Sequence, residues 1–517
     1  MEPIAARAVV FSPVKAIVLV LVTALALSAS GCSGGNRKLS GDPLTDFQNP
    51  ELRTPQRLAA MRAAWDDPGA NRSAIRGPLK ELAWSDQTPR EIRHQAVDLL
   101  LGDDSRTGQA DTFWFIQSRV PTERDYEIVR KMGVKAVAQS WSDLTPAFVR
   151  SYAIADTNIP DGQRVEKAIL ESLNPDQPLA LIVSRVFLNP QQGSLGTPGA
   201  NNYIDLDAKA REAAWDLLAR IDPSGEARRD VLARGDLPTD EQGARVLADI
   251  RRGIRELGVV PRNGEELRWL LALAAERSGG WWSQTALAVA QLTQEQAAGL
   301  KLRNLEALRW ASIYRETWMR DDRAQLEGRL RARLADREVT LRRADSPELR
   351  GVPQTLEQAA DLLSWGDVLS VLAVDVALHD PAVTSRLFEQ VDMDRADETT
   401  EYGGLIFVDS QGRFVAQLYP PRPQHRKGDD QFVASSDMIE QSVRALAMYH
   451  FHAMRERNSR FAGPSAEDYA NARTFGRLSI VLTSINKDEL NADVYFDTPA
   501  SVDLGQRPRT PAFVGQN

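Results

Sequence analysis

From Thr54 to about residue 345 the chain repeats its apolar side chains every three or four positions, a period that a helix buries on one face and a strand does not. Asp207 to Ile221 shows it most clearly. Ala210, Ala213, Ala214, Leu217, Leu218 and Ile221 share one face, and Asp222-Pro223-Ser224-Gly225 supplies the stop. Val246, Leu247, Ile250, Ile254 and Leu257 repeat the pattern. Thr54 to Trp65, Ala74 to Trp84 and Pro89 to Leu101 read as three further helices in close succession. Paired helices of this length suggest HEAT-like stacking; because no strict period recurs, an irregular helical domain is the close second expectation. Leu188 to Asp205 reads as a long loop, and Arg323 to Arg343 as a solvated, salt-bridged helix face with no ligand.

After about Ser346 the period becomes mixed. Asp367 to Leu378 reads as a helix and Ser436 to about Ala445 as another. The run beginning at Glu401, Phe414 to Tyr419, Leu478 to Thr483 and Asp493 to Phe496 read as strands, and Pro420 to Asp430 as a charged, proline-rich loop. Residue usage shifts at the same place: all 11 tryptophans lie between Trp65 and Trp365, while four of the five histidines follow Trp365. The expected architecture is therefore multidomain, with an all-α helical region over 54–345, an α/β domain with a central mixed β-sheet over 346–505, and a C-terminal tail over 506–517. A net charge of −8 argues against a nucleic-acid partner, which requires a basic face. The glycines between Gly193 and Gly199 lack the helix that a phosphate-binding loop needs after it.

The densest chemistry lies in the α/β part. His450 and His452 stand one residue apart, and on a strand positions i and i+2 point to one face, so both imidazoles reach one metal. Ser465 and Asp468 follow, behind Gly463-Pro464, and Glu401-Tyr402-Gly403-Gly404 precedes. Two imidazoles, a carboxylate and a separate glutamate are the set that a hydrolytic zinc site needs: three ligands, an open position for water, and a base. Read alone, His-x-His is a common surface or core pair, and Ser465-x-x-Asp468 is a helix-capping pattern.

In this order the residues resemble the JAMM (MPN-type) metalloprotease family, whose signature joins His-x-His to Ser-x-x-Asp and adds an earlier glutamate. Tyr449, Gly463-Pro464 and the turn Asp409-Ser410-Gln411-Gly412 fit as well. The resemblance covers roughly residues 360 to 505. It implies that His450, His452 and Asp468 hold Zn2+, that Glu401 is the base, and that Ser465 stabilises the oxyanion during hydrolysis of a peptide or isopeptide. Two departures stand out. Twelve residues separate His452 from Ser465 where the family has seven, and Ala453 replaces a proline. The surplus around Met454 to Arg460 is polar and is expected to loop out. A non-catalytic envelope scaffold with a JAMM-like fold is the alternative expectation, its helical region docking an envelope protein.

Residues 1–31 read as a secretory signal: Arg7 and Lys15, an apolar run from Ala16 to Ala29, then small residues leading into Cys32, the single cysteine of the chain. The ending resembles a bacterial lipoprotein box. It implies lipidation at Cys32, a flexible tether over 32–53, and an extracytoplasmic protein anchored in a membrane, the outer one being favoured if there are two. Cys32→Ser is expected to leave an unprocessed or soluble product; detergent partitioning and intact mass check it, and unchanged values would refute lipidation.

Overall fold

Amphipathic helices have to cover their apolar stripes, and in the unit ending at Gly243 they do so on one another. The computed structural model describes residues 39–509 apart from 68, 70, 155–158, 192–193, 196–203, 235–237, 277–279 and 343–346. The expected helices form as Thr54–Asp66, Arg72–Trp84, Arg90–Leu101 and Leu206–Ile221. The last begins at Asp205, whose carboxylate accepts the Ala208 amide at 2.9 Å. Its buried stripe takes in Arg211 and Trp215 while Ala213 and Ile221 stay half-buried. The Arg211 guanidinium satisfies the carbonyls of Phe187 and Leu188 that end the preceding helix, at 2.8 and 3.0 Å, and Trp215 packs on Phe187. Between these helices Ser194–Leu195 pairs with Ile204–Asp205 inside the expected loop.

The expected tether departs from expectation where it is described. Pro43–Gln48 is a helix capped by Asp42, and Phe47 is fully buried, with its carbonyl bonded to Arg57 at 2.9 Å. Burial of Phe47 and Leu52 is what orders this stretch.

The unit from Ala244 onward is built on a six-stranded mixed sheet. Its strands are β1 (Gly403–Val408), β2 (Phe414–Leu418), β3 (Ala447–His452), β4 (Ser479–Asn486), β5 (Glu489–Tyr495) and β6 (Ser501–Pro508), in the order β2-β1-β3-β4-β5-β6. Every pairing is antiparallel except β3 with β4. The turn Asp409 to Gly412 closes the β1–β2 hairpin as expected, with Gly412 at φ 80°. β6 runs three residues into the expected tail. The helices beside the sheet are α1 (Trp365–Leu378), α2 (Pro381–Arg395) and α3 (Ala466–Phe475).

The expected change of unit at Ser346 falls inside this second unit, because its earlier helices are joined to the sheet. Trp269 donates to the Val443 carbonyl at 2.7 Å, and Trp310 donates to that of Gly412 at 3.1 Å and packs on Phe414. Indoles bury a large apolar area and bring one donor that must find an acceptor, so each acts as a directed anchor. Burial against the sheet, rather than a new domain, explains Trp269 and Trp310.

Asp375 on α1 ties the same parts together. Its fully buried carboxylate meets Arg333 at 2.6 Å, Arg337 at 2.5 Å and Arg507 of β6 at 2.8 Å. Burial opposes its charge, but Arg337 and Arg507 hold the carboxyl at about 2. A depressed folded pKa contributes stability above the unfolded value that is lost as pH falls through the folded one. The window is thus about pH 4 to pH 2, and the contribution about 2 kcal/mol. Asp375→Asn is expected to remove this window and, by leaving the buried Arg507 and the half-buried Arg337 short of a counter-charge, to cost about 3–5 kcal/mol at neutral pH. Urea unfolding across that pH range checks both.

Candidate metal centre

Side chains alternate along β3, so Tyr449 and Phe451 share one face and His450 and His452 the other. Tyr449 donates its hydroxyl to Gln390 of α2, while the histidine face looks toward α3. A parallel strand pair needs a crossover, and here the chain leaves β3, passes through residues 453–465, forms α3 and returns as β4. That crossover brings the first turn of α3 to the carboxyl end of β3, the usual location of sites in parallel sheets. Gly463, at φ 75°, turns the chain into Pro464 and Ser465. Ser465 caps the helix: its hydroxyl accepts the Asp468 amide at 3.1 Å, and the Asp468 carboxylate accepts the Ser465 amide at 2.8 Å.

The same carboxylate turns its oxygens to the imidazoles. His450 Nε2 lies 3.3 Å from Oδ1 of Asp468, His452 Nε2 lies 3.6 Å from Oδ2, and the two Nε2 atoms are 3.3 Å apart. Glu401, His450 and His452 each offer a ligand atom, all within 4.8 Å of one another, so this group can hold a metal ion. His452 Nδ1 sits 2.8 Å from the Phe461 carbonyl, which can only accept; the proton is therefore on Nδ1, and Nε2 presents a lone pair. Glu401 and His450 are 5% and 3% exposed, so the charges have little water to lean on.

Burial raises the Glu401 carboxyl to about 8, helped by the carboxylates of Asp468, Asp394 and Asp429 and opposed by His450. For His450, burial works against the imidazolium, but Asp468 beside it, with Glu401 and Asp394, carries the pKa above the ordinary value. His452 is pushed down by burial and by His450. Asp468 is opposed by burial but held well below the carboxylate range by the two histidines and the Ser465 amide. Asp394 of α2 lies nearby: one of its oxygens accepts the Tyr402 amide at 2.5 Å, the other is buried with no hydrogen-bond partner, and burial raises it to about 7.

The five site residues chosen from sequence in this region thus come to one end of the sheet, while Cys32 lies outside the described residues. Glu401 stands two residues before β1 rather than on it, in a stretch where Thr400 bridges to Gly428. The widened segment after His452 is not a loose loop. Asn458 is buried, with its amide on the Ser484 carbonyl at 2.7 Å, and Phe461 supplies the carbonyl that orients His452. Asp394 and the Phe461 carbonyl go beyond the sequence expectation. Asp394 had a readable signal, since Asp380-Pro381 starts α2 and Val383, Leu387 and Val391 give it one buried face. A backbone carbonyl leaves no mark in a sequence.

Comparison of the chain with protein-family models, with curated proteins and with solved structures gives no match. The fold and the site therefore rest on their own geometry.

The capping role of Ser465 can be isolated, because glycine serves as an N-cap and alanine does not. Ser465→Ala is expected to cost about 0.5–2 kcal/mol and Ser465→Gly only a few tenths. Equal urea midpoints for the two variants would show that the cap carries no weight.

Proposed function

We propose that this chain is a zinc-dependent amide hydrolase of the JAMM type, acting on peptide or isopeptide bonds. One observation carries the reading: the Nε2 atoms of His450 and His452 stand 3.3 Å apart, and each faces one oxygen of Asp468, at 3.3 and 3.6 Å. With zinc–ligand bonds of about 2.0–2.1 Å, neighbouring ligands of a tetrahedral ion stand about 3.3 Å apart. The donors also suit the metal: two imidazoles, one with its lone pair already presented, and a carboxylate whose capping bonds fix its orientation.

In this reading His450, His452 and Asp468 hold the ion. Zinc supplies a Lewis acid that lowers the pKa of water from 15.7 toward about 7. Glu401 takes the proton of the attacking water and delivers it to the leaving amine as the carbon–nitrogen bond breaks. Its burial beside His450 suits a group that must exchange a proton near neutrality. The Ser465 hydroxyl accepts the Asp468 amide, which leaves its own proton to donate to the oxyanion. The helices of the first unit, as a HEAT-like scaffold, hold a protein partner of the cell envelope, and lipid at Cys32 anchors the chain to a membrane.

A second reading, a non-catalytic scaffold, draws on the burial of Glu401, His450 and Asp468, which narrows the way in for a polypeptide. Zinc measurement and turnover separate the two. Wild-type protein is expected to carry about one zinc per chain. His450→Ala should lose it, whereas Glu401→Gln should retain it and abolish hydrolysis of peptide and isopeptide libraries. A wild-type protein that takes up no zinc overturns the enzyme reading; zinc retained without any turnover supports the scaffold.

A further inference from the structure

A metal-binding histidine is ordinarily held in plane by a hydrogen bond to the nitrogen that does not face the metal. His452 has such a bond, to the Phe461 carbonyl. Among the described residues His450 has none from Nδ1 to a protein acceptor; its polar partners, His452 and Asp468, lie at Nε2. What lies against its ring is Phe432, with the two planes 9° from parallel and their centroids 5.3 Å apart.

Phe432 is itself closely seated. It belongs to the strap between β2 and β3, and it packs on Leu405, Met438 and Met448, on the histidine face of the sheet. Close to it lies Gly403, the residue paired with His450 across β1 and β3. A Cβ at that position would come within 2.5 Å of the Phe432 ring. The glycine therefore leaves the space in which the phenyl lies over the imidazole. The strap is tied down just before Phe432 by Arg426, which pairs with Asp397 and Thr399, and by the Gly428 amide on the Thr399 carbonyl at 3.0 Å.

We propose that Phe432 is a positioning residue of the metal centre: its ring, seated over Gly403, fixes the plane of His450 and so keeps Nε2 aimed at the point shared with His452 and Asp468. This rests on the metal-site reading above. A flat face is what matters, since an offset-stacked aromatic pair resists rotation of either ring while an aliphatic side chain of similar bulk does not.

The test is Co2+ binding by the purified full-length protein, measured by chelator competition, together with carbethoxylation of His450 in metal-free protein relative to His94. Phe432→Ala is expected to weaken Co2+ binding by about 10–100-fold and to speed labelling of His450 severalfold, with His94 unchanged. Phe432→Tyr should restore both, and Phe432→Leu should behave like alanine. Unchanged affinity and labelling in Phe432→Ala, or full rescue by leucine, overturns the proposal. Faster labelling in Phe432→Ala with no Co2+ bound even by wild type upholds the positioning role and overturns the metal reading instead. Matching circular dichroism spectra among the variants show that a loss of affinity is not a loss of fold.

Discussion

A carboxylate carried into a protein interior forfeits its hydration, and it stays charged only if fixed dipoles and cations replace the lost water. Asp468 has such replacements from three directions. The positive end of α3 begins at its own turn, the Ser465 amide bonds one oxygen, and the two imidazoles face both. None of these partners serves alone. The capping box fixes where the carboxylate points, and the parallel β3–β4 pairing fixes where the helix starts relative to the histidines. Local capping and sheet topology thus meet in one side chain, and the remaining geometry of the centre follows from where it is held.

The same economy recurs deeper in the second unit. Asp375 gathers Arg333, Arg337 and Arg507, and Arg303 lies between Asp367 and Asp497. Each cluster joins an early helix or its flank to the late sheet or to α1. Helices that look independent in sequence are thereby committed to the sheet, because a buried ion left by its partners costs several kcal/mol. The directed indole anchors of Trp269 and Trp310 act in the same sense.

Two irregular segments flank the histidines, and each contributes to one of them. The segment after His452 contributes the Phe461 carbonyl, and the strap before β3 contributes the Phe432 ring. The first is the stretch whose length departs from the JAMM pattern. Its extra residues are mostly exposed, yet the backbone at Asn458 is pinned to Ser484, so the added length projects outward while its last turn stays against the site. The donors are consequently well enclosed.

Much of this was legible in the sequence because the relevant signals are local. Helical periods fixed Arg72–Trp84, Arg90–Leu101 and Leu206–Ile221 to within about two residues, and alternation placed both histidines on one face of β3. The Ser465-to-Asp468 spacing marked a helix start that the hydrogen bonds bear out. Strands β5 and β6 were harder, since Asn491, Asp493, Asp503 and Arg507 are polar residues buried within them and disguise the alternation. They pair with each other and with partners far along the chain, as Asn491 does with Asp503 and Arg507 with Asp375. By itself, then, the sequence singled out the candidate residues and placed His450, His452, Ser465 and Asp468 on their local elements, while Glu401 falls two residues short of its expected strand. Only the tertiary structure decided that Glu401, His450, His452 and Asp468 meet, that the helices from Ala244 onward belong with the sheet, and that a carbonyl and a phenyl ring lie against the imidazoles. Those facts depend on contacts between segments far apart in the chain, and periodicity, which reports only a residue's neighbours within a few positions, carries no record of them.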